Sequence, residues 1–147
     1  MSARLRRKRA TPRRLPRPEN RCSIARCRRY RAVDAWCKTH ANGIADTLFS
    51  RYVRERDEHC LSCGTENAGQ CAHIVSRRYR AIRWNELNAV RLCASCHRRF
   101  TSLPVEWEVW VGERFPGRLQ VLKLLALSDE RPDVAEVIRA LRTEAAA

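Results

Sequence analysis

Residues 60 to 97 run Cys60-Leu-Ser-Cys63, then Gln70-Cys-Ala-His73-Ile-Val-Ser-Arg77, then Arg83-Trp-Asn-Glu-Leu-Asn88, and close on Cys93-Ala-Ser-Cys96-His97. A CxxC turn sets two thiolates on one side of a metal at the roughly 2.3 Å bonding distance of zinc. Two such turns 29 residues apart therefore predict one four-thiolate site made of Cys60, Cys63, Cys93 and Cys96. Between them Gln70 to Val75 is the best strand candidate, with Asn67 to Gly69 as the turn leading into it. Cys71 is left unpaired by this count and reads as a buried strand cysteine.

Working outward, Cys22-x4-Cys27 followed nine residues later by Cys37-Lys-Thr-His40 has the ligand count of a second structural zinc site, of Cys3His type. Its loops carry Arg26, Arg28, Arg29 and Arg31, so it reads either as a structural clip or as a finger that also touches phosphate. From Gly43 to His59 the apolar residues Ile44, Leu48, Tyr52 and Val53 recur at helical spacing, which predicts an amphipathic helix. Pro104 can open a helix bearing Trp107 and Trp110. Pro116-Gly117 breaks it, Leu119 to Leu127 resumes it, and Pro132 begins a last helix with Val134, Val137, Ile138 and Leu141 on one face. Trp107, Trp110, Leu122, Leu124 and Leu125 read as core or as a dimer-forming surface, which keeps a homodimer open. The expected organisation is a disordered basic arm over residues 1–18, a small zinc finger over 19–43, a zinc-bound domain over 44–115 and C-terminal helices over 116–147. The fold class is α+β.

The 147 residues carry 30 Lys+Arg against 16 Asp+Glu, a formal charge of +14. Such an excess favours a polyanionic partner, because basic groups displace counterions condensed on phosphate. Eight Cys in paired spacings read as metal ligands in a reducing compartment rather than as disulfides. No run approaches the ~18 to 20 apolar residues of a membrane span, so no membrane partner is expected and the cell interior is the expected compartment.

The stretch AHIVSRRYRAIRWNELNAVRLCASCHRRF (72–100) resembles the HNH endonuclease family, and ADTLFSRYVRERDEHCLSCG (45–64) is similar to the start of phage recombination nucleases of the NinG/Rap type. The resemblance spans roughly residues 44 to 115. It implies a zinc-stapled ββα-metal core that cuts or nicks DNA, and the cytoplasm of a bacterial host if the chain is phage-encoded. His73 corresponds to the general base that activates water, work to which an imidazole of pKa near 6.5 is suited. His97 corresponds to the ligand of a catalytic divalent metal, Mg²⁺ or Mn²⁺, and Asn88 to the residue that braces the loop and keeps the base correctly turned. Asn85 competes with Asn88 for that role. Many members carry Asp, Glu or His before the base as a second metal ligand. This chain has Ala72, as the phage subgroup tends to, leaving water, substrate phosphate, Glu86 or Asn88 to complete the shell.

Arg77, Arg78, Arg80, Arg83, Arg98 and Arg99 flank the three motif residues and are expected to clamp the DNA backbone, some of them paired with Glu86 instead. Trp84 either stacks on a base or fills the small core beside the zinc. His59 lies outside the motif and reads as a surface residue. The main rival to the nuclease is a zinc-finger DNA-binding or architectural protein that keeps the frame without catalysis, favoured by Ala72. An RNA-binding or ribosome-associated zinc protein is favoured only by charge and the Arg-rich arm.

Overall fold

A computed structural model describes residues 17–144. Residues 1–16 of the expected basic arm lie outside the described residues, and Pro18–Asn20 forms a single 3-10 turn. Five helices and one two-stranded antiparallel sheet follow: α1 Lys38–Arg56, β1 Gln70–His73, β2 Ala89–Leu92, α2 Ala94–Ser102, α3 Pro104–Arg114, α4 Arg118–Ala126 and α5 Val134–Glu144. The α+β class is as expected.

Strand pairing fixes what each face of the sheet touches. Gln70 pairs Leu92, Cys71 pairs Arg91, Ala72 pairs Val90 and His73 pairs Ala89. Successive side chains on a strand point to opposite faces. Ala72, Val90 and Leu92 accordingly join Ile74, Ile82, Phe100, Val111 and Leu122 in the larger core, under α2, α3 and α4. Cys71 and Ala89 pack instead on Phe49 and Val53 of α1 with Leu141 of α5. Each side of the sheet thus has its own apolar cover.

Helix α1 buries Ala41, Ala45, Phe49 and Val53, a single face at four-residue spacing. It begins five residues before the expected start, at the end of the first Cys3His group, and Gly43 sits exposed within it. The finger and the following region are therefore joined by one continuous helix across residues 43 and 44. Helix α5 lies along it, with Ile138 against Ala41 and Ala45. Pro104 opens α3 as expected, and Gly117, at φ 76°, makes the left-handed turn into α4. The last helix starts at Val134 because Asp133 caps it, its Oδ1 accepting from Ala135 N at 2.8 Å.

Strand β1 ends at His73, two residues before the expected Val75, for a visible reason. Ile74 N donates to Asn88 O at 2.8 Å, and Val75 N to the Asn88 side-chain Oδ1 at 2.7 Å, so a side chain takes over the ladder and the backbone turns away. Phe100, Trp107, Trp110 and Phe115 form one aromatic group in the core below α2, with Trp107 and Trp110 stacked at 5.3 Å. Leu122 is buried, whereas Leu124 and Leu125 face outward.

Candidate active site and metal centres

Cys60, Cys63, Cys93 and Cys96 bring their sulfurs within 4.8 Å of one another, and so do the ligand atoms of Cys22, Cys27, Cys37 and His40. Tetrahedral zinc with bonds of about 2.3 Å requires sulfurs about 3.8 Å apart. Cys63 and Cys93 stand at 3.8 Å and Cys27 and Cys37 at 4.0 Å, so both donor sets could hold zinc. His40 presents Nδ1 to Cys22 and Cys37 at 3.1 and 3.5 Å. The Cys93 thiol is pulled down to about 6 by the Ser95 hydroxyl at 3.0 Å and by the N–H of Cys96, while burial helps push Cys96 up to about 12.

The Cys93–Cys96 turn is also the first turn of α2, and it delivers His97 into a cleft of about 270 Å³. Ala72, His73, Ile74 and Ser76 border the cleft from β1 and its exit, Leu92 from β2, His97, Phe100 and Thr101 from α2, and Trp107 from α3. His73 and His97 therefore meet at one opening, as their motif positions imply.

The His73 ring leans on Phe49, with centroids 5.8 Å apart, and its Nε2 lies 3.1 Å from the Arg83 carbonyl. A carbonyl can only accept, so Nε2 carries the proton and the Nδ1 lone pair is free. Burial lowers the His73 pKa, helped by the Arg77 and Arg83 charges and opposed by the Arg83 carbonyl and Asp46. The imidazole is therefore neutral at neutral pH.

Asn88 is fully buried and makes three bonds from its amide: Oδ1 accepts from Val75 N, and Nδ2 donates to Val75 O at 2.9 Å and Ile82 O at 3.0 Å. It braces the loop between the strands, as expected. The expectation that it also holds the imidazole is corrected, since the Arg83 carbonyl does that directly. With its amide spent, Asn88 is no metal ligand. Neither is Glu86, whose carboxylate accepts from Tyr52 Oη at 3.0 Å, away from the cleft. Asn85 resolves as a cap, its Oδ1 accepting from Leu87 N at 2.9 Å.

Of the six arginines, Arg77, Arg78, Arg80 and Arg98 are exposed and form no ion pair among the described residues, although the Arg77 charge reaches Asp46. Arg99 pairs with Glu106 at 2.8 Å on the surface. Arg83 is engaged with Asp46 through Nε at 2.9 Å and Nη2 at 2.5 Å, so the acid that takes it is Asp46 and not Glu86. The same carboxylate accepts from Trp84 Nε1 at 2.9 Å. Burial alone would raise the Asp46 carboxyl, but these two donors outweigh it and hold it below the usual range. Trp84 packs between α1 and α5 rather than beside either cysteine group.

Two further arginines escape sequence reasoning. Arg91 donates to the carbonyls of Arg54, Asp57 and Glu58 at the end of α1 and to those of Glu66 and Ala68 in the cysteine loop. Arg56 reaches the carbonyls of Glu86 and Ala89. A lone charge between Val90 and Leu92 in a strand is the signal for the first. Asp46 had a signal too, as the single acid from residue 35 to 54.

No helix of the described residues is long and apolar enough to cross a membrane. Comparison with protein-family models, curated proteins and solved structures finds no match.

Proposed function

We propose that this protein is a metal-dependent DNA endonuclease of the HNH type, with both cysteine groups holding structural zinc. The observation that carries the reading is the half-buried, neutral His73, its Nε2–H fixed on the Arg83 carbonyl, lining the same cleft as His97. In this reading Nδ1 of His73 takes a proton from water, which attacks phosphorus while the 3′ oxygen departs, leaving 5′-phosphate and 3′-hydroxyl ends. Arg77, Arg78 and Arg98 hold the flanking phosphates. His97 would hold a divalent cation, which supplies positive charge against the phosphate and the leaving oxygen. Ser76 and Thr101 are the other donors at the cleft, and no carboxylate lines it. That donor set suits a cation that accepts imidazole, and leaves Mg²⁺ or Mn²⁺ to be completed by water and substrate phosphate.

A specific observation favours a second reading. Ala72 is buried where a second ligand would stand, and a cleft without a carboxylate suits a DNA-binding protein that does not cut. Nicking of supercoiled plasmid by zinc-loaded protein, with Mg²⁺, Mn²⁺, Ni²⁺ or no added cation, separates the two. Cation-dependent nicking that falls by about 10² to 10⁴ in His73→Ala at matched DNA occupancy supports the nuclease. Tight binding without cleavage of plasmid or branched DNA in any cation gives the function to the binder.

A further inference from the structure

We propose that a second cavity, walled by the same Arg83-Trp84 segment whose carbonyl holds His73, binds one unpaired nucleotide of the nucleic acid. Its phosphate would lie among Lys38, Arg80 and Arg131 and its ring against the Trp84 indole. This rests on the nuclease reading and adds to it a second nucleic-acid site, one for a base that has left the stack.

The cavity measures about 170 Å³ and lies between the start of α1, the turn at residues 80–84 and the segment entering α5. Lys38, Arg80 and Arg131 come from three distant parts of the chain, and none has an acidic partner among the described residues. Like charges brought together repel, and an anion between them reverses the sign of that energy. Arg83, the fourth cation of the wall, is already neutralised by Asp46 at 2.5 Å. The indole is held rigidly, with Nε1 on Asp46 and the Arg83 guanidinium 5.3 Å from the ring centroid. Although packed between α1 and α5, the indole is only half-buried, and the part that lines the cavity can receive a base. Asn42 lines the same wall, and its Oδ1 is buried without a hydrogen-bond partner, the mark of an interaction still to be made.

Size selects the ligand. At about 10 to 15 Å³ of such volume per water, the cavity has room for roughly a dozen waters, enough for a phosphate with one ring and too little for a base pair. A base can reach it only after leaving the stack, at least cost where the strand is already unpaired.

The test uses the full chain and reads binding alone. Anisotropy titrations compare a forked duplex carrying a single-stranded flap with a blunt duplex of equal length. They are run on wild type, on the triple variant Lys38→Gln, Arg80→Gln, Arg131→Gln, and on a control of equal charge change, Arg51→Gln, Arg114→Gln, Arg139→Gln. Wild type and control should prefer the fork at least tenfold, and the first variant should lose that preference. In ¹⁵N spectra the Trp84 indole N–H should shift on adding a free dinucleotide, less with the mononucleotide, and be unmoved by inorganic phosphate at equal concentration. No fork preference in wild type, or equal loss in both triple variants, overturns the proposal. A protein that nicks no DNA yet shows the cavity-dependent preference would sink the nuclease reading and leave this one standing.

Discussion

The two cysteine groups offer the same number of ligands but are built into the molecule differently. Cys60, Cys63, Cys93 and Cys96 tie a loop to the end of β2 and the first turn of α2, and Cys60 and Cys93 belong to the main core. Cys22, Cys27, Cys37 and His40 tie turns to the start of α1, with only isolated bridges, Arg21 to Tyr30 and Val33 to Trp36, between them. Backbone strain divides the same way. The left-handed residue of the first-described group is Gly64, at φ 77°, whereas the N-terminal group forces Arg26 to φ 62° and Asp34 to φ 45°. Left-handed geometry costs an ordinary residue roughly 1 to 2 kcal/mol, which zinc bound there would offset. One group is built into the sheet's core; the other sits at the start of α1, tied in through Val33 and Trp36.

That contrast yields the largest expected effect. Structural zinc contributes on the order of 10 kcal/mol to folding, close to the whole stability of a small domain. Cys93→Ser should therefore abolish the cooperative unfolding transition, whereas Cys27→Ser should release one of two zinc equivalents and leave the sheet and α2 folded. Metal content per chain and calorimetry of both variants measure this. Equal collapse of the two would erase the distinction.

Asn88→Ala comes next. Three buried amide bonds vanish and leave the Val75 N–H and the Val75 and Ile82 carbonyls without that partner, a loss of about 3 kcal/mol at typical values for unsatisfied buried groups. Urea unfolding should show that drop with zinc content unchanged. A fall below 1 kcal/mol would mean that the cysteine loop alone fixes the turn after His73.

How far the sequence discloses this follows from which interactions are local. Cysteine pairs, helix periodicity and Pro104 act over a few residues, so both ligand sets and the C-terminal helices were legible. So was the meeting of His73 and His97, since one cysteine turn carries the second to the first. Long-range arginine pairing was not. Arg83 was expected on the DNA backbone or on Glu86 and Arg56 and Arg91 had no expected partner, yet in the fold they bind Asp46, Asp57 and carbonyls of α1 and the cysteine loop. The reason is geometric: α1 ends beside β2, its last carbonyls need donors, and an arginine fork reaches several at once. The partner of the His73 ring was missed likewise, because a backbone carbonyl has no residue type to betray it.

The smallest effect concerns His73 itself, which lies between the two halves of the core cysteine group. Its pKa is lowered chiefly by burial against the α1 side of the sheet. In the proposed nuclease His73 would work as base only when neutral, so the acid limb of single-turnover cleavage should fall below pH 6.5, the ordinary imidazole value. Stability carries the same sign: the unfolded chain takes up a proton at 6.5 that the folded one still refuses, so stability declines as pH falls below 6.5. In Cys27→Ser the acid limb should keep its position, because Phe49, the Arg83 carbonyl and the sheet are untouched by loss of the outer group. A limb that moved up to 6.5 in that variant would show that the outer group reaches the base through α1, and the two cysteine groups would then be one structural unit.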